Sequence, residues 1–171
     1  MGEGENGFSI SKIDDKSKQE VLFILSTYEV LEEFAHQLKD DTKTLQFKVK
    51  AKRYNFIDSI LTKLIAFIKE CDPNDIEANT LPNKKKQYIA KDLKICDKLF
   101  AILEQMGKKI LDEIYKKDKS ENDAFKRVFN RAYYLILQII KDNQITKLYV
   151  CEDWLPIILN HAIENEEDTV H

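Results

Sequence analysis

The chain has 171 residues, of which 43% are hydrophobic and 33% are charged. This balance is too apolar for a disordered chain and too charged for a membrane-embedded one, and the length suits one domain. With only 4 glycines and 3 prolines, the sequence has little material for tight turns, which favours long helices over hairpins. No stretch of the sequence approaches the ~20 apolar residues that a membrane span requires.

The net charge of −3 is distributed unevenly along the chain. Residues 1–42 carry a net charge of −6, residues 43–119 carry 18 basic and 11 acidic side chains for a net charge of +7, and residues 120–171 carry −4. The basic central block is suited to an anionic ligand or an acidic partner surface. The overall pI of 5.7 argues against a nucleic-acid partner. Three widely spaced cysteines predict no disulfide framework and no zinc site, and they indicate a reducing compartment.

The predicted order is a flexible N-terminal segment (1–15), a single helical domain (16–165) and a frayed acidic tail (166–171). The first helix should begin near Ser17 and end in the polar run 39–44. Its apolar residues recur every three or four positions, which predicts one buried stripe made of Leu22, Leu25, Tyr28, Leu31 or Glu32, Ala35 and Leu38.

A second helix is predicted from about Val49 to Lys69, where residues 71–75 form a strong stop that contains a proline. A third helix should start near Pro82, because proline is tolerated in a first turn. Its predicted core stripe is Ile89, Leu93, Cys96, Leu99, Phe100 and Leu103. Gly107 either marks the end of this helix or is followed by more helix through Ile114.

Residues 116–120 are predicted to be a solvated loop, and Ser120 with Asp123 three positions later resembles a capping box. The next helix should extend to residue 140 with an apolar face of Phe125, Val128, Phe129, Ala132, Leu135, Ile136, Ile139 and Ile140.

Residues 142–143 should break that helix. A short helix over 144–151 is predicted next, followed by a last helix that ends near Ile163, with Asp153 as its N-cap and Pro156 in its first turn. Together these segments predict an all-α fold, an armadillo-like or irregular helical bundle of six or seven helices.

The sequence contains no Gly-rich phosphate loop, no metalloprotease motif and no nucleophile elbow. Acidic pairs such as Glu32 and Glu33 are typical of solvated helix faces, and the three histidines lack metal-ligand spacing. We therefore expect no enzymatic activity, no cofactor and no metal site.

One basic cluster is a candidate anion site. Lys84, Lys85 and Lys86 open the predicted third helix, and Lys91 lies two turns beyond Lys84 on the same face. The amides of a helix N-terminus favour anions as well. An ordinary solvated face is the alternative interpretation, and it is favoured when no other information is used.

Aromatic residues near the C-terminal end leave two interpretations open. The pairs Tyr133–Tyr134 and Phe125–Phe129 suit either a partner groove or a hydrophobic core, and the core is favoured. Trp154 is expected to be a half-buried anchor.

Several segments resemble, in this order, the helical half of inositol trisphosphate receptors: Phe8–Ile10, Phe34–Leu38, Ala51–Leu61, Leu64–Ile68, Leu81–Gln87, Asp92–Leu103, Phe125–Ile140, Tyr149–Val150 and Trp154. The most specific of these is Leu81–Gln87 (LPNKKKQ), which is similar to the family's Pro-Asn-basic-x-basic-Gln run. The resemblance covers residues 8–165. It is to the RIH-type helical domain that inositol trisphosphate receptors and ryanodine receptors share.

This resemblance implies a non-enzymatic module of an intracellular ligand-gated calcium-release channel, which couples a regulatory or ligand site to the pore. It implies an armadillo-like layer on the cytoplasmic face of the endoplasmic reticulum or a related calcium store. The expected partners are other domains of the same channel, namely a β-trefoil and further helical domains. The alternative is a soluble cytoplasmic adaptor that binds an acidic or helical protein partner.

The resemblance also assigns the phosphate contacts. Lys84 and Lys91 match phosphate-contacting basic residues, with Lys85 and Lys86 beside them, whereas Tyr88 stands where the family has a lysine. The family's Tyr-Arg-Lys clamp falls on residues 143–145 (Asn-Gln-Ile), which lack its two cations. Each lost charge-assisted contact is worth about 1.5–3 kcal/mol, so we expect weak or no inositol trisphosphate binding by this chain alone.

Overall fold

The computed structural model describes residues 14–40, 47–108 and 119–167, and their side chains within 14–39, 51–108 and 122–162. This part of the chain contains six helices and no strand. They are α1 Asp15–Asp40, α2 Phe47–Lys69, α3 Lys84–Asp92, α4 Ile95–Gly107, α5 Lys119–Ile140 and α6 Gln144–Glu167. The all-α fold expected from the sequence is confirmed.

The helices pack around one hydrophobic core to which each of the six contributes buried side chains. The most extensive helix–helix packing is between α2 and α5 and between α1 and α4, while α6 lies against α4 and α5. Near the middle, Tyr54 of α2 meets Phe34 of α1 and Phe125 of α5 edge-on, with ring centroids 6.0 and 5.6 Å apart. These edge-to-face contacts join three helices at one point and add to the stabilisation from burial.

Helix α1 is capped by Asp14, whose carboxylate accepts hydrogen bonds from the backbone amide (2.8 Å) and the hydroxyl (2.7 Å) of Ser17. The predicted start near Ser17 is therefore two residues late. The predicted stripe is also partly wrong, because Leu22 and Leu25 are exposed. The buried residues are Ile24, Thr27, Leu31, Phe34, Ala35 and Leu38. Two apolar series with similar spacing overlap in this helix, and Thr27 joins the buried one because its hydroxyl donates to the carbonyl of Phe23 (2.8 Å).

Helix α2 ends at Lys69, as predicted, in a left-handed turn. Glu70 has φ 54°, and the amide of Cys71 donates to the carbonyl of Ala66 (3.1 Å). This arrangement satisfies helix-end carbonyls in the Schellman manner. The following loop returns to α2 through the amide of Asn83, which donates to the carbonyl of Ile68 (2.8 Å), and so it sets where α3 begins.

The predicted third helix is two helices, so that prediction is wrong in its continuity. Leu93 and Lys94 separate α3 from α4, and Lys94 has φ 57° in the left-handed region. The predicted stripe keeps its three-or-four spacing across this break. The spacing alone therefore concealed the change of direction. Helix α4 ends at Gly107, one of the two predicted alternatives; helix through Ile114 lies outside the described residues.

Helix α5 begins at Lys119, so Ser120 lies inside its first turn and is not its N-cap, contrary to prediction. The predicted apolar face is buried except for Ile140, which is half-buried. Residues 116–118 of the predicted loop lie outside the described residues.

The last helix corrects a second prediction. Residues 144–167 form one continuous helix, α6, instead of a short helix followed by one capped by Asp153. Pro156 lies inside it and cannot donate to the carbonyl of Glu152. Residue 152 is exposed, where solvent can supply that hydrogen bond, so the helix tolerates the proline. The predicted tail 166–171 is helical at 166–167.

Candidate functional site

The N-terminus of α3 is occupied by the chain's own asparagine. Asn83 is the N-cap, and its side-chain oxygen accepts from the amides of Lys85 (2.9 Å) and Lys86 (3.3 Å). Its carbonyl accepts from the amide of Gln87 (3.0 Å). Two of the amides that an anion would use at this helix N-terminus, those of Lys85 and Lys86, are therefore already engaged.

The side chain of Lys86 does not lie on a common surface with the other predicted lysines. It is directed into a contact between helices, which we call the Lys86 clamp. Its ammonium lies 3.0 Å from a carboxylate oxygen of Glu70 and 3.6 Å from one of Glu20, and 4.4 Å from the ring centre of Phe67. The Lys86 side chain is only 12% exposed. Hydrogen bonds from Lys86 and then Asn83 hold the pKa of Glu70 below its ordinary value. Lys86 thus fastens α1, the end of α2 and α3 together.

The other three predicted lysines remain at the surface. Lys84 and Lys85 are exposed and make no ion pair with any described residue. Lys91 is half-buried, with its ammonium 2.5 Å from the carboxylate of Asp92. Of the four predicted phosphate ligands, the structure leaves Lys84 and Lys85 uncommitted, and it neutralises Lys86 and Lys91.

A buried amide network joins α3 to the turn between α5 and α6. The side-chain nitrogen of Gln87 donates to the carbonyls of Gln138 and Lys141, both at 2.8 Å, and its oxygen accepts from the side chain of Asn143 (2.9 Å). Asn143 also caps α6, since its side-chain oxygen accepts from the amide of Thr146 (3.4 Å). Gln87 is fully buried and Asn143 nearly so. The residues themselves had indicated Asn143 as a helix breaker, and Gln87 had been named only as the last residue of the LPNKKKQ run; neither had been predicted to be buried.

Asn143 is also the first residue of the segment that the resemblance aligned with a phosphate clamp. Its amide is turned into the protein, where it holds Gln87, and α6 starts directly after it at Gln144. The structure therefore provides an internal role for a position where the family has a phosphate contact.

Lys69 is a buried lysine that the sequence did not single out. Its ammonium donates to the carbonyls of Ile76 (2.5 Å) and Ala78 (2.8 Å) and to the hydroxyl of Tyr134 (3.2 Å). No carboxylate among the described residues pairs with it. All three of its protons are used, so Lys69 ties the loop after α2 to α5 and has none left for a ligand.

An open groove of about 820 Å³ lies beside this lysine. Its lining includes Asn79, Thr80, Leu137, Gln138 and Lys147. The side-chain oxygen of Gln138 is buried without a hydrogen-bond partner among the described residues. The lining contains acidic, basic, polar and apolar side chains, so it indicates no particular class of ligand.

Two further polar contacts join neighbouring helices. Lys98 of α4 donates to Glu32 of α1 (2.7 Å) and lies 4.8 Å from the ring centre of Tyr28. The hydrogen bond with Lys98 lowers the pKa of Glu32 and raises that of Lys98. On the other side, Arg131 of α5 donates to Asp58 of α2 (3.2 Å). Charged side chains of this protein are thus used repeatedly between helices.

The aromatic residues belong to the core, as the favoured interpretation predicted. Phe125 and Phe129 are buried, while Tyr133 and Tyr134 are half-buried. Trp154 is half-buried, as predicted, and stacks on Phe100, with ring centres 4.9 Å apart and planes 10° from parallel.

The cysteines form no common site. Cys96 is buried, as predicted, and burial followed by the charge of Asp97 raises the pKa of its thiol to about 12. Cys71 is half-buried and Cys151 is exposed. Among the described residues no group of histidine, cysteine, aspartate or glutamate side chains is arranged to hold a metal ion.

The fold and these contacts define an all-α helical domain whose buried polar residues fasten helices to one another. No protein-family model matches the chain, and no curated protein matches it in sequence. Within the described ranges, no helix is both long enough and apolar enough to cross a membrane.

Proposed function

We propose that this chain is a non-enzymatic helical module of an intracellular ligand-gated calcium-release channel, similar to the RIH-type domain of inositol trisphosphate receptors. The observation that carries the proposal is the placement of the LPNKKKQ run. Asn83 caps α3, and Gln87 binds the α5–α6 turn, so the two amides of this run are both part of the framework. Because Asn83 and Gln87 help to position α3, the resemblance at these two residues supports a similar helical architecture.

The proposed role is mechanical coupling between a regulatory site and a pore. A module that transmits a displacement must move as a packed unit and not yield locally. The clamp of Lys86 on Glu20 and Glu70 and the buried Gln87–Asn143 contact join helices that are distant in sequence. These contacts support the coupling role because they oppose independent motion of α3. The partners in this role are a β-trefoil and further helical domains of the same channel, on the cytoplasmic face of the endoplasmic reticulum or a related store.

Tagging the endogenous gene and fractionating native cells tests the proposal. A tagged band of several hundred kilodaltons in the internal-membrane pellet, together with calcium release that is lost on deleting the coding region, is the expected result. A soluble tagged protein near the 20.1 kDa mass of this chain would overturn the channel proposal.

Inositol trisphosphate binding by this chain alone is proposed to be weak or absent. Lys86 is committed to Glu20 and Glu70, the amides of Lys85 and Lys86 are held by Asn83, and the Asn143 side chain is directed inward. Titration of the labelled chain with inositol trisphosphate, followed by amide chemical shifts, should give only small, non-saturating changes. Inorganic phosphate, added at a concentration that supplies the same total negative charge, serves as the reference ligand.

The matched variants are Lys84→Ala with Lys91→Ala, and Lys126→Ala with Lys147→Ala as a control on exposed lysines elsewhere. Saturable sub-micromolar binding that the first pair abolishes and the second pair preserves would contradict weak binding and assign a ligand site to α3.

A second candidate function is a soluble adaptor that binds a helical protein partner. The observation that favours it is α6, which packs on the core through one face and presents exposed leucines on the other. A soluble chain of 20.1 kDa in the fractionation experiment would select this candidate.

A further inference from the structure

The groove of about 820 Å³ continues along α5 into a second, smaller groove. The smaller groove has a volume of about 310 Å³ and is lined by Arg127, Asn130, Arg131 and Tyr134 of α5 together with Glu77. Tyr134 and Glu77 also line the larger groove, so the two grooves meet there and form one surface, which we call the α5 groove. The larger part alone indicates no class of ligand, whereas the combined surface has a distribution of charge that does.

Two arginines at one end of the α5 groove share one carboxylate. Nε of Arg131 lies 3.2 Å and Nε of Arg127 lies 3.8 Å from an oxygen of Asp58. A terminal nitrogen of Arg127 also donates to the side-chain oxygen of Asn55 (2.7 Å). Because a guanidinium has five N–H donors, these contacts use only part of each fork. One carboxylate against two cations leaves a net positive charge at this end, with donors in the geometry that suits a carboxylate ligand.

Two lysines supply the positive charge at the other end of the α5 groove. Lys141 and Lys147 line the groove, are exposed, and make no ion pair with any described residue. Asp142, which also lines this end, offsets one of the two charges. The second end is therefore net positive as well, and its ammonium groups are free to approach a ligand.

The middle of the α5 groove is close to neutral and partly apolar. Lys69, 5% exposed, has its ammonium 3.2 Å from the hydroxyl of Tyr134, so its charge lies beneath the point where the two grooves meet. Glu77 lines both grooves at the same point, and its charge offsets that of Lys69. Leu137 lies one turn further along α5 and is 52% exposed. Positive charge at both ends thus encloses an apolar side chain.

We propose that the α5 groove binds an extended acidic segment of a partner protein, with carboxylates at its two ends and an apolar residue between them. Arg127 and Ile140 are about 20 Å apart along α5 at 1.5 Å per residue, a length that an extended chain covers with about six residues. Clefts of one charge attract ligands of the opposite charge, and the central side chain packs on Leu137.

A protein segment fits this surface better than a nucleic acid does. The phosphates of a nucleic acid are evenly spaced, and they would place negative charge over the near-neutral middle and the exposed Leu137. A peptide instead concentrates its carboxylates at the two positive ends. The argument rests on the charge and shape of the groove, and it is independent of the proposed channel function.

Fluorescence anisotropy with the full chain tests the proposal. The probe is a labelled seven-residue peptide with two glutamates at each end, a leucine at its centre and blocked termini; the reference peptide has glutamine in place of every glutamate. The acidic peptide should bind saturably, tighter than about 1 mM at low ionic strength, and more weakly as salt screens the exposed charges. The reference peptide should not bind. Absence of saturable binding by the acidic peptide would overturn the proposal.

Charge-reversal variants locate the binding surface. Lys141→Glu with Lys147→Glu should weaken the acidic peptide about tenfold, since two attractions become repulsions. Lys84→Glu with Lys85→Glu is the matched control, because it changes the net charge equally at exposed lysines outside the α5 groove, and it should leave the affinity nearly unchanged. Far-UV circular dichroism checks that both variants are folded. Equal weakening by the two variants would show that only the net charge matters and would refute the site.

Two further measurements distinguish an acidic peptide from a general polyanion. Leu137→Ser should weaken the peptide with the central leucine about threefold and leave a peptide with alanine at its centre unaffected. Leu159→Ser on α6 is the control, because Leu159 has the same 52% exposure, and it should change neither affinity. An equal effect of Leu137→Ser on both peptides would contradict the apolar contact. A six-base single-stranded oligonucleotide that binds as tightly as the acidic peptide, and is weakened by the same lysine variant, would overturn the assignment to a protein segment.

Discussion

Replacing Gly107 with alanine is the most direct test of how α4 and α6 meet. An ideal Cβ at Gly107 would lie 2.3 Å from Nε2 of His161, 3.0 Å from its Cδ2 and 3.2 Å from its Cε1. Ordinary contacts between such atoms are near ~3.5 Å, so the ring must move by about 1 Å. The ring is held on its other side, where Nδ1 lies 2.5 Å from the hydroxyl of Tyr133 and Phe129 packs 5.6 Å away, centre to centre.

Two opposing effects set the magnitude for Gly107→Ala. Overpacking at a fixed site costs about 1–3 kcal/mol. Alanine gains at most about 1 kcal/mol over glycine in a helix, and less at the last residue of α4. We therefore expect a loss of about 1 kcal/mol in the free energy of unfolding. In a His161→Ala background the clash is absent, and the same substitution should be neutral or stabilising.

Urea unfolding followed by far-UV circular dichroism measures all four members of this double-mutant cycle. The expected coupling free energy between the two positions is about 1–3 kcal/mol, with an unchanged denaturant slope. Additive effects within error, or stabilisation by Gly107→Ala in the wild-type background, would show that the His161 ring gives way freely and that the contact does not position α6.

Three other measurements test the polar framework. Glu32→Gln should reduce stability at neutral pH relative to the wild type. Because the folded pKa of Glu32 is lowered below 4.5, the difference should vanish as the pH falls through that lowered value. Since the pKa of Lys98 is raised, the difference should also vanish as the pH rises through the pKa of Lys98; a difference independent of pH would contradict the ion pair. Gln87→Leu should destabilise the protein by about 3 kcal/mol, because it leaves buried partners unpaired, and a loss under about 0.5 kcal/mol in urea unfolding would refute that role. In the native protein, Cys151 should react with a thiol reagent at once and Cys96 only on unfolding, as its raised pKa and burial require; equal rates would contradict this.

Apolar periodicity predicted the helical class and most helix positions. It does so because a helix that packs one face against a core needs apolar residues every three or four positions on that face. The apolar pattern was misleading where it fits two different arrangements of the helices equally well. The stripe through Leu93 and Cys96 continues across the break at Lys94, and α1 contains overlapping apolar series. Left-handed residues at Glu70, Lys94 and Asp142 end or separate helices without glycine. The stops near Glu70 and Asp142 were predicted from neighbouring residues, whereas nothing in the sequence indicated the one at Lys94.

The candidate site was less predictable than the fold, because lysine function depends on what lies opposite. Lys84, Lys85 and Lys86 are the same residue type in consecutive positions, yet among the described residues only Lys86 faces glutamates, Glu20 of α1 and Glu70 at the end of α2. The buried roles of Gln87 and Lys69 depend on carbonyls more than five positions away. Such partners are determined by tertiary packing, which no local pattern specifies.

When the helices pack, part of the uneven charge along the sequence is compensated by ion pairs between its acidic and basic blocks. The acidic first block supplies Glu20 and Glu32, which pair with Lys86 and Lys98 of the basic central block. Part of the central excess of +7 is therefore compensated inside the domain, by side chains that are distant in sequence. An acidic partner approaching α3 would meet Lys84 and Lys85 but not a four-lysine cradle. A short, exposed pair of cations suits weak electrostatic attraction better than selective recognition of a polyphosphate.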